Sequence, residues 1–159
     1  MKWKLSHRFD TKARKIADRH YSRQKPGTEQ FVRPGSCLVL WQPSALWVTS
    51  WQKPEHTDHD WPNAWECTIF RNEGAGLSSD LIRSAVRATR WKYGDPPSGG
   101  MISFVDSDEV GSGKPGYCFE CAGWSHVGFT GSGLYVWKLA PNRIPTAEPP
   151  EGATQRLFA

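Results

Sequence analysis

Arg71-Asn72-Glu73-Gly74-Ala75-Gly76-Leu77-Ser78-Ser79 separates a run that alternates like a strand from one with helical spacing. Upstream, over Trp65–Phe70, Trp65, Cys67 and Ile69 fall on one face and Glu66, Thr68 and Phe70 on the other, the period of two that a strand imposes. Downstream, Leu81, Ala85 and Ala88, flanked by Ile82 and Val86, form an apolar stripe at helical spacing. Ser78 or Ser79 can cap this helix, with Asp80 in its first turn, and it runs to about Tyr93 before Gly94 and the Pro96-Pro97-Ser98-Gly99-Gly100 cluster. A basic residue, two glycines and a hydroxyl-rich helix start aim backbone N–H groups and the positive helix end at one anion. The stretch therefore predicts a pyrophosphate-binding turn, with a plain helix-starting turn as the alternative.

The flanking segments set the fold class. Met101–Val105 is a short apolar run broken only by Ser103, the mark of a buried central strand, and it ends at Asp106. Before the turn, Thr11–Arg23 has helical spacing, with Ala13, Ile16, Ala17 and His20 recurring three and four apart. Ser36–Trp41 and Ala45–Trp51 read as a hairpin about Gln42-Pro43-Ser44, followed by a loop over Glu55–Asn63. After Met101–Val105 come a Gly/Ser loop, a short helix near Pro115–Ala122 and strands near Ser125–Thr130 and Leu134–Leu139. The order predicts an α/β (α+β) domain over residues 1–140: a mixed, mostly antiparallel sheet flanked by helices, with one parallel crossover. The tail over 141–159, rich in Pro and polar residues, is expected to be an arm or disordered.

At 159 residues the chain is large enough for one core without disulfides or metal. Nine Trp exceed what such a core needs, so either the core is Trp-rich or some line a groove or interface. Residues 1–35 hold ten Lys or Arg against three acids, so they carry +7 and the remainder −3 of the net +4. That asymmetry fits a polyanionic partner met by counterion release, or equally a solvated basic helix face. Cys37, Cys67, Cys118 and Cys121 do not read as a disulfide framework, and no apolar run approaches a membrane span. A soluble, cytoplasmic protein with reduced, buried and inert thiols is expected, without membrane association. Cys118 and Cys121 form a C-x-x-C pair, but no second pair completes a zinc site.

Arg71, Gly74 and Gly76, placed between strand and helix, match the R/Q-x-x-G-x-G/A signature, so the chain resembles the GCN5-related N-acetyltransferase (GNAT) superfamily. A strand (Met101 to Asp106), a short helix carrying an aromatic and a Gly-aromatic step (Gly123-Trp124) continue the likeness. Over about residues 60–140 the chain is similar to the phage Mom-like branch, which modifies DNA adenine. The matching parts are Arg71-Asn72, Ser78-Ser79, Ser103-Phe104-Val105-Asp106 and the segment from Gly116 to Trp124 with the later Gly128; His20-Tyr21 adds to them.

The resemblance implies a parallel strand pair splayed apart at the cofactor site, near Phe70 to Arg71 and Ser103 to Val105. It implies an acyltransferase-like enzyme that binds acetyl-CoA or another acyl-CoA through Arg71, Asn72, Gly74, Ala75, Gly76, Leu77, Ser78 and Ser79. Its expected product is a carbamoylmethylated adenine N6 in double-stranded DNA, made in the bacterial host's cytoplasm if the chain is phage-encoded. DNA contacts are expected from Arg14, Lys15, Arg19, Arg23 and Lys25, and a flipped base could stack on Trp47, Trp51 or Trp61.

Asp106, at the end of a buried strand, is the best candidate to orient or deprotonate a nucleophile, with a cap or turn role as its alternative. Tyr21, Tyr117 and Ser103 complete the candidate catalytic set. Where the superfamily places a Tyr that protonates the leaving thiolate, this chain has Phe119; Tyr117, water or a different reaction must then serve. Glu73 would repel an anion and is expected to face away. The run Glu55-His56-Thr57-Asp58-His59-Asp60 has metal-ligand chemistry, but in a loop it reads as solvated, so no metal site is assigned. Two other functions stay open: an N-acetyltransferase of a protein or small amine, and a non-catalytic module that binds coenzyme A or DNA.

Overall fold

The described residues form seven strands, β1 (Lys4–Leu5), β2 (Ser36–Gln42), β3 (Ala45–Trp51), β4 (Trp65–Asn72), β5 (Met101–Val105), β6 (Ser125–Phe129) and β7 (Tyr135–Leu139). They form one sheet in the order β1-β2-β3-β4-β5-β7-β6. Only β4 and β5 run parallel; the other neighbours are antiparallel. The helices are α1 (Thr11–Ala17), α2 (Ser78–Tyr93) and α3 (Tyr117–Cys121). The computed structural model describes residues 3–20, 22, 27, 30–53, 57, 59–107 and 115–153. The mixed sheet with a single crossover through α2 is the expected class.

Each face of the sheet has its own core. On one, Leu38, Leu40, Trp47, Trp65, Cys67 and Met101 pack with Leu81, Ile82, Ala85 and Val86 of α2 and with Phe119, Trp124 and Trp137. On the other, Val39, Leu46, Val48 and Ile69 pack with Ala13, Ile16 and Ala17 of α1. A chain of buried hydroxyls ties α2 to the sheet. Trp47 Nε1 donates to Thr49 Oγ1 at 2.6 Å, Thr49 and Thr89 hydroxyls lie 2.9 Å apart, and Thr89 donates to Ala85 O at 2.8 Å.

Two expectations change, and a third is decided between its alternatives. First, simple alternation along β4 fails. Val48 pairs with Ile69 but Thr49 pairs with Cys67, so Thr68 is an extra residue, a β-bulge. The bulge turns the strand over: Ile69 joins the α1 core, while Phe70 packs on the α2 core with Trp65 and Cys67.

Second, α1 stops at Ala17 rather than Arg23. Arg19 and His20 donate their N–H groups three residues back, to Ile16 O and Ala17 O, and the His20 ring accepts the Ser22 N–H at 3.1 Å. That local side-chain bond offers the backbone an alternative to helix and buries His20.

Third, of the two states expected for the tail, residues 141–153 form an arm. Arg90 Nη1 donates to Ile144 O at 2.9 Å, and Glu148 N donates to Arg87 O at 3.2 Å. Glu151 then brackets β1, accepting from Leu5 N at 2.8 Å and donating to Trp3 O at 2.9 Å. The two-residue strand β1, unpredicted from sequence, is held by this arm and by β2.

Candidate functional site

The parallel pairing of β4 with β5 covers only Trp65↔Met101, Glu66↔Ile102 and Cys67↔Ser103. It ends at the Thr68 bulge, because the extra residue breaks the spacing that a parallel ladder needs. Beyond that point β4 carries on to Asn72 and β5 to Val105 without pairing to each other. Phe70 lies beside this opening and continues an aromatic row, 5.7 Å from Trp47 and 6.2 Å from Phe119, which is in turn 4.8 Å from Trp124.

At the end of β4 the glycine turn leads into α2. Gly74 and Gly76 have φ of 109° and 142°, backbone conformations that a side chain disfavours. Leu77 is the N-cap residue; it supplies no side-chain cap and is 67% exposed. Neither serine caps the helix: Ser78 and Ser79 are its first two residues, and Ser78 Oγ instead accepts from Asn72 Nδ2 at 2.9 Å. An uncapped start on a 16-residue helix leaves its first N–H groups and the positive dipole end directed outward.

Asn72 organises the turn from within. Its Oδ1 accepts from Gly74 N at 3.1 Å and Ala75 N at 2.9 Å, while its Nδ2 also donates to Gly76 O at 2.7 Å. Two of the N–H groups expected to meet a phosphate therefore already donate to an amide oxygen. Ala75 is buried in the α2 core rather than presented to a ligand.

Because the bulge inverts the strand, Arg71 pairs with Leu46, whose side chain is in the α1 core. Arg71 Nε donates to Glu73 Oε2 at 2.6 Å, and Arg19, just past α1, donates to both Glu73 oxygens at 2.6 and 2.7 Å. Glu73, expected to face away from a bound anion, is instead held by the two guanidiniums. The Arg19 hydrogen bonds, with Arg71 adding to them, hold its carboxyl down at about 2. Burial, with Arg71 nearby, pushes His20 down to about 4. Its Nδ1 accepts from Ser22, so the ring is neutral with its hydrogen on Nε2.

The other candidates are spread around this opening. Ser103 is buried and its Oγ donates to Cys67 O at 3.2 Å, which locks the last bridge of the parallel pair. Asp106 follows β5 immediately, half-buried. Tyr117 is 54% exposed at the start of α3, and the Cys121 thiol holds its hydroxyl above the ordinary range. Phe119 is buried against Phe70 and Trp124. Tyr21, Arg23 and Lys25 lie outside the described residues, as do Glu55, His56 and Asp58.

Among the expected DNA contacts, Lys15 is exposed, Arg14 is half-buried with its Nε shielded from solvent, and Arg19 is paired with Glu73. Lys12, from the same helix, sits 4.7 Å over the Trp41 ring. Trp47 is fully buried, which removes it as a stacking surface, and Trp51 packs edge-on against Trp65 and Tyr93. Trp61 remains half-exposed. All four cysteines are free thiols; Cys67 is buried, Cys37 and Cys118 half-buried and Cys121 exposed, so inertness by burial does not extend to all four. Among the described residues no group of three His, Cys, Asp or Glu could hold a metal, and no helix is long and apolar enough to cross a membrane.

Sequence reading missed the partner of Glu73 and the inward amide of Asn72. It also missed Glu66, whose signal was a carboxylate set between the apolar Trp65 and Cys67 in the first half of β4. No protein-family model, curated protein or solved structure matches the chain.

Proposed function

We propose that the chain is an acyltransferase-like enzyme of the GNAT type that binds an acyl-coenzyme A at the glycine turn and modifies a nucleobase in DNA, as the Mom-like resemblance implies for adenine N6. One observation carries the reading: β4 and β5 part at Cys67 and Ser103, and the uncapped start of α2 lies just past the longer strand. Such a wedge leaves backbone groups free to polarise an acyl carbonyl, and the helix start supplies positive potential for a pyrophosphate. Gly76 to Ser79 are the residues whose N–H groups would take the phosphates. Gly74 and Ala75 would first have to release Asn72. Asp106 at the β5 end would orient the amine; an exocyclic adenine amine depends more on positioning than on a strong base.

The test pairs coenzyme A calorimetry with mass spectrometry of nucleosides from DNA of cells expressing the protein. Coenzyme A binding, together with a modified adenine that disappears in Asp106→Asn, is expected. Failure to bind coenzyme A would overturn the cofactor assignment.

The burial of Phe119 favours a second reading. Its position offers an aromatic wall rather than a proton donor, which suits a module that binds coenzyme A or DNA without transfer. Coenzyme A binding with no modified nucleoside would establish that alternative.

A further inference from the structure

On the face of the sheet that carries α1, a cleft of about 730 Å³ opens among Arg33, His59, Trp61, Phe104 and the turn Thr130–Ser132. No residue of the glycine turn lines it. Three rings form one wall. His59 and Phe104 meet edge-to-face with centroids 5.1 Å apart, Trp61 and Phe104 are at 6.2 Å, and His59 and Trp61 at 6.4 Å. These are contact distances, so a ligand lies on the ring cluster rather than between its members.

Polar groups gather behind the rings. His59 Nδ1 accepts the Trp61 N–H at 3.0 Å, which puts the ring hydrogen on Nε2, 3.8 Å from Glu66 Oε1. That separation is too long for a hydrogen bond. Glu66 is 6% exposed, and its other oxygen takes Arg33 Nη2 at 2.6 Å. Ser50 faces Glu66 across the β3–β4 pair, and its Oγ is buried with no hydrogen-bond partner among the described residues. Both line a hollow of about 10 Å³ that shares Arg33, His59 and Trp61 with the cleft. Such a space holds one group the size of a water or an amine. A buried hydroxyl without a partner is costly unless something supplies one.

We propose that this cleft binds a planar heteroaromatic ring bearing an exocyclic amine. The ring stacks on the Trp61–Phe104 surface, and the amine enters the hollow, where its two hydrogens meet Glu66 Oε1 and Ser50 Oγ. An aliphatic ammonium would meet the carboxylate and could set its charge against the ring faces, but it offers no plane to stack on the Trp61–Phe104 surface. A ring without the amine would stack and leave Ser50 unpaired. The inference does not depend on coenzyme A binding.

The test is NMR titration of the whole chain with adenosine and cytidine, which carry the amine, against purine riboside, which lacks it, and cyclohexylamine, which lacks the aromatic plane. Saturable binding of both amine-bearing nucleosides is expected, with shifts centred on Trp61 and Phe104. Purine riboside should bind roughly tenfold more weakly. Trp61→Ala should cost about tenfold in adenosine affinity. Ser50→Ala, which removes one hydroxyl and keeps the fold, should cost about threefold.

Equal affinity for purine riboside, undiminished binding in both variants, or no saturable binding of either nucleoside overturns the proposal. Shifts centred on the glycine turn also overturn it, because they place adenosine where the adenine end of coenzyme A would bind. A coenzyme A titration of the same samples separates the two assignments. Coenzyme A bound without nucleosides in the cleft sinks only the cleft. Nucleosides in the cleft without coenzyme A binding sinks only the cofactor.

Discussion

Arg71 and Glu73 form an ion pair across one intervening residue, Nε to Oε2 at 2.6 Å, at the point where a basic side chain was expected to meet a phosphate. The acid competes with any anion for that guanidinium and for Arg19. Glu73→Gln keeps the side-chain shape and removes the competitor. Affinity for coenzyme A is expected to rise roughly threefold by calorimetry, a modest gain because the pair is partly exposed. Unchanged or weaker affinity would show that Arg71 braces α1 against β4 and takes no part in binding.

His20 makes stability depend on pH. Its folded value, about 4, lies below the ordinary 6.5, so its stabilising share is complete above pH 6.5 and is lost as pH falls toward 4, where only the unfolded chain gains the proton. Between urea unfolding at pH 7 and at pH 4.5, a loss of about 2 kcal/mol is expected from this group. His20→Gln should flatten that window. Glu73 acts lower: its contribution is complete above about 4.5 and disappears as pH approaches 2. Glu73→Gln should therefore leave the pH 4.5 to 7 slope intact.

The hydroxyl chain beneath α2 predicts an asymmetric mutant pair. Thr89 donates to Ala85 O, so Thr49 must donate to Thr89 and accept from Trp47. Thr49→Val leaves the buried Trp47 N–H without its acceptor and should cost about 2 kcal/mol in chemical unfolding. Thr89→Val leaves Ala85 O its helical bond and deprives only the Thr49 hydroxyl, which can rotate, of its acceptor, so it should cost less, about 1 kcal/mol. The reverse order would show that the Trp47 N–H finds another acceptor when Thr49 is removed.

Gly100 enters β5 with φ at +65°, and a Cβ there would stand 2.2 Å from Leu139 O, a backbone atom of the neighbouring β7. A shift of β5 would disturb the Trp65 backbone N–H bond to Gly100 O, and a shift of β7 would disturb the Met101–Leu139 pairing. Gly100→Ala is expected to lower stability by roughly 3 kcal/mol in thermal unfolding. A loss under half that size would show that β7 slides at this end.

The elements legible from sequence are those whose pattern is local. The α2 stripe from Leu81 to Ala88, the β2–β3 hairpin about Pro43 and the apolar run of β5 all recur in the structure. The pieces that escaped depend on distant partners. Lys4 and Leu5 become a strand only because Trp41, Leu40 and Glu151 sit beside them. The early end of α1 follows from a single imidazole accepting a backbone N–H, a choice that helical spacing does not encode. At the site, the glycines and the helix start could be read directly. The closure of the turn by Asn72 and the capture of Arg71 could not, because both depend on side-chain directions that the bulge had already reversed.

Thr68 thereby acts as a phase switch in the middle of β4. Residues before it keep one parity and residues after it the other, so a single strand assigns Cys67 and Phe70 to the α2 side and Glu66 and Ile69 to the α1 side. Removing that one residue would do more than shorten the strand. Every side chain from Ile69 to Asn72 would rotate together, Asn72 would leave the helix start it organises, and Arg71 would turn toward α2. Substitutions alone could not undo such a change. In this protein the length of β4, counted to the residue, is as much a determinant of the site as any side chain within it.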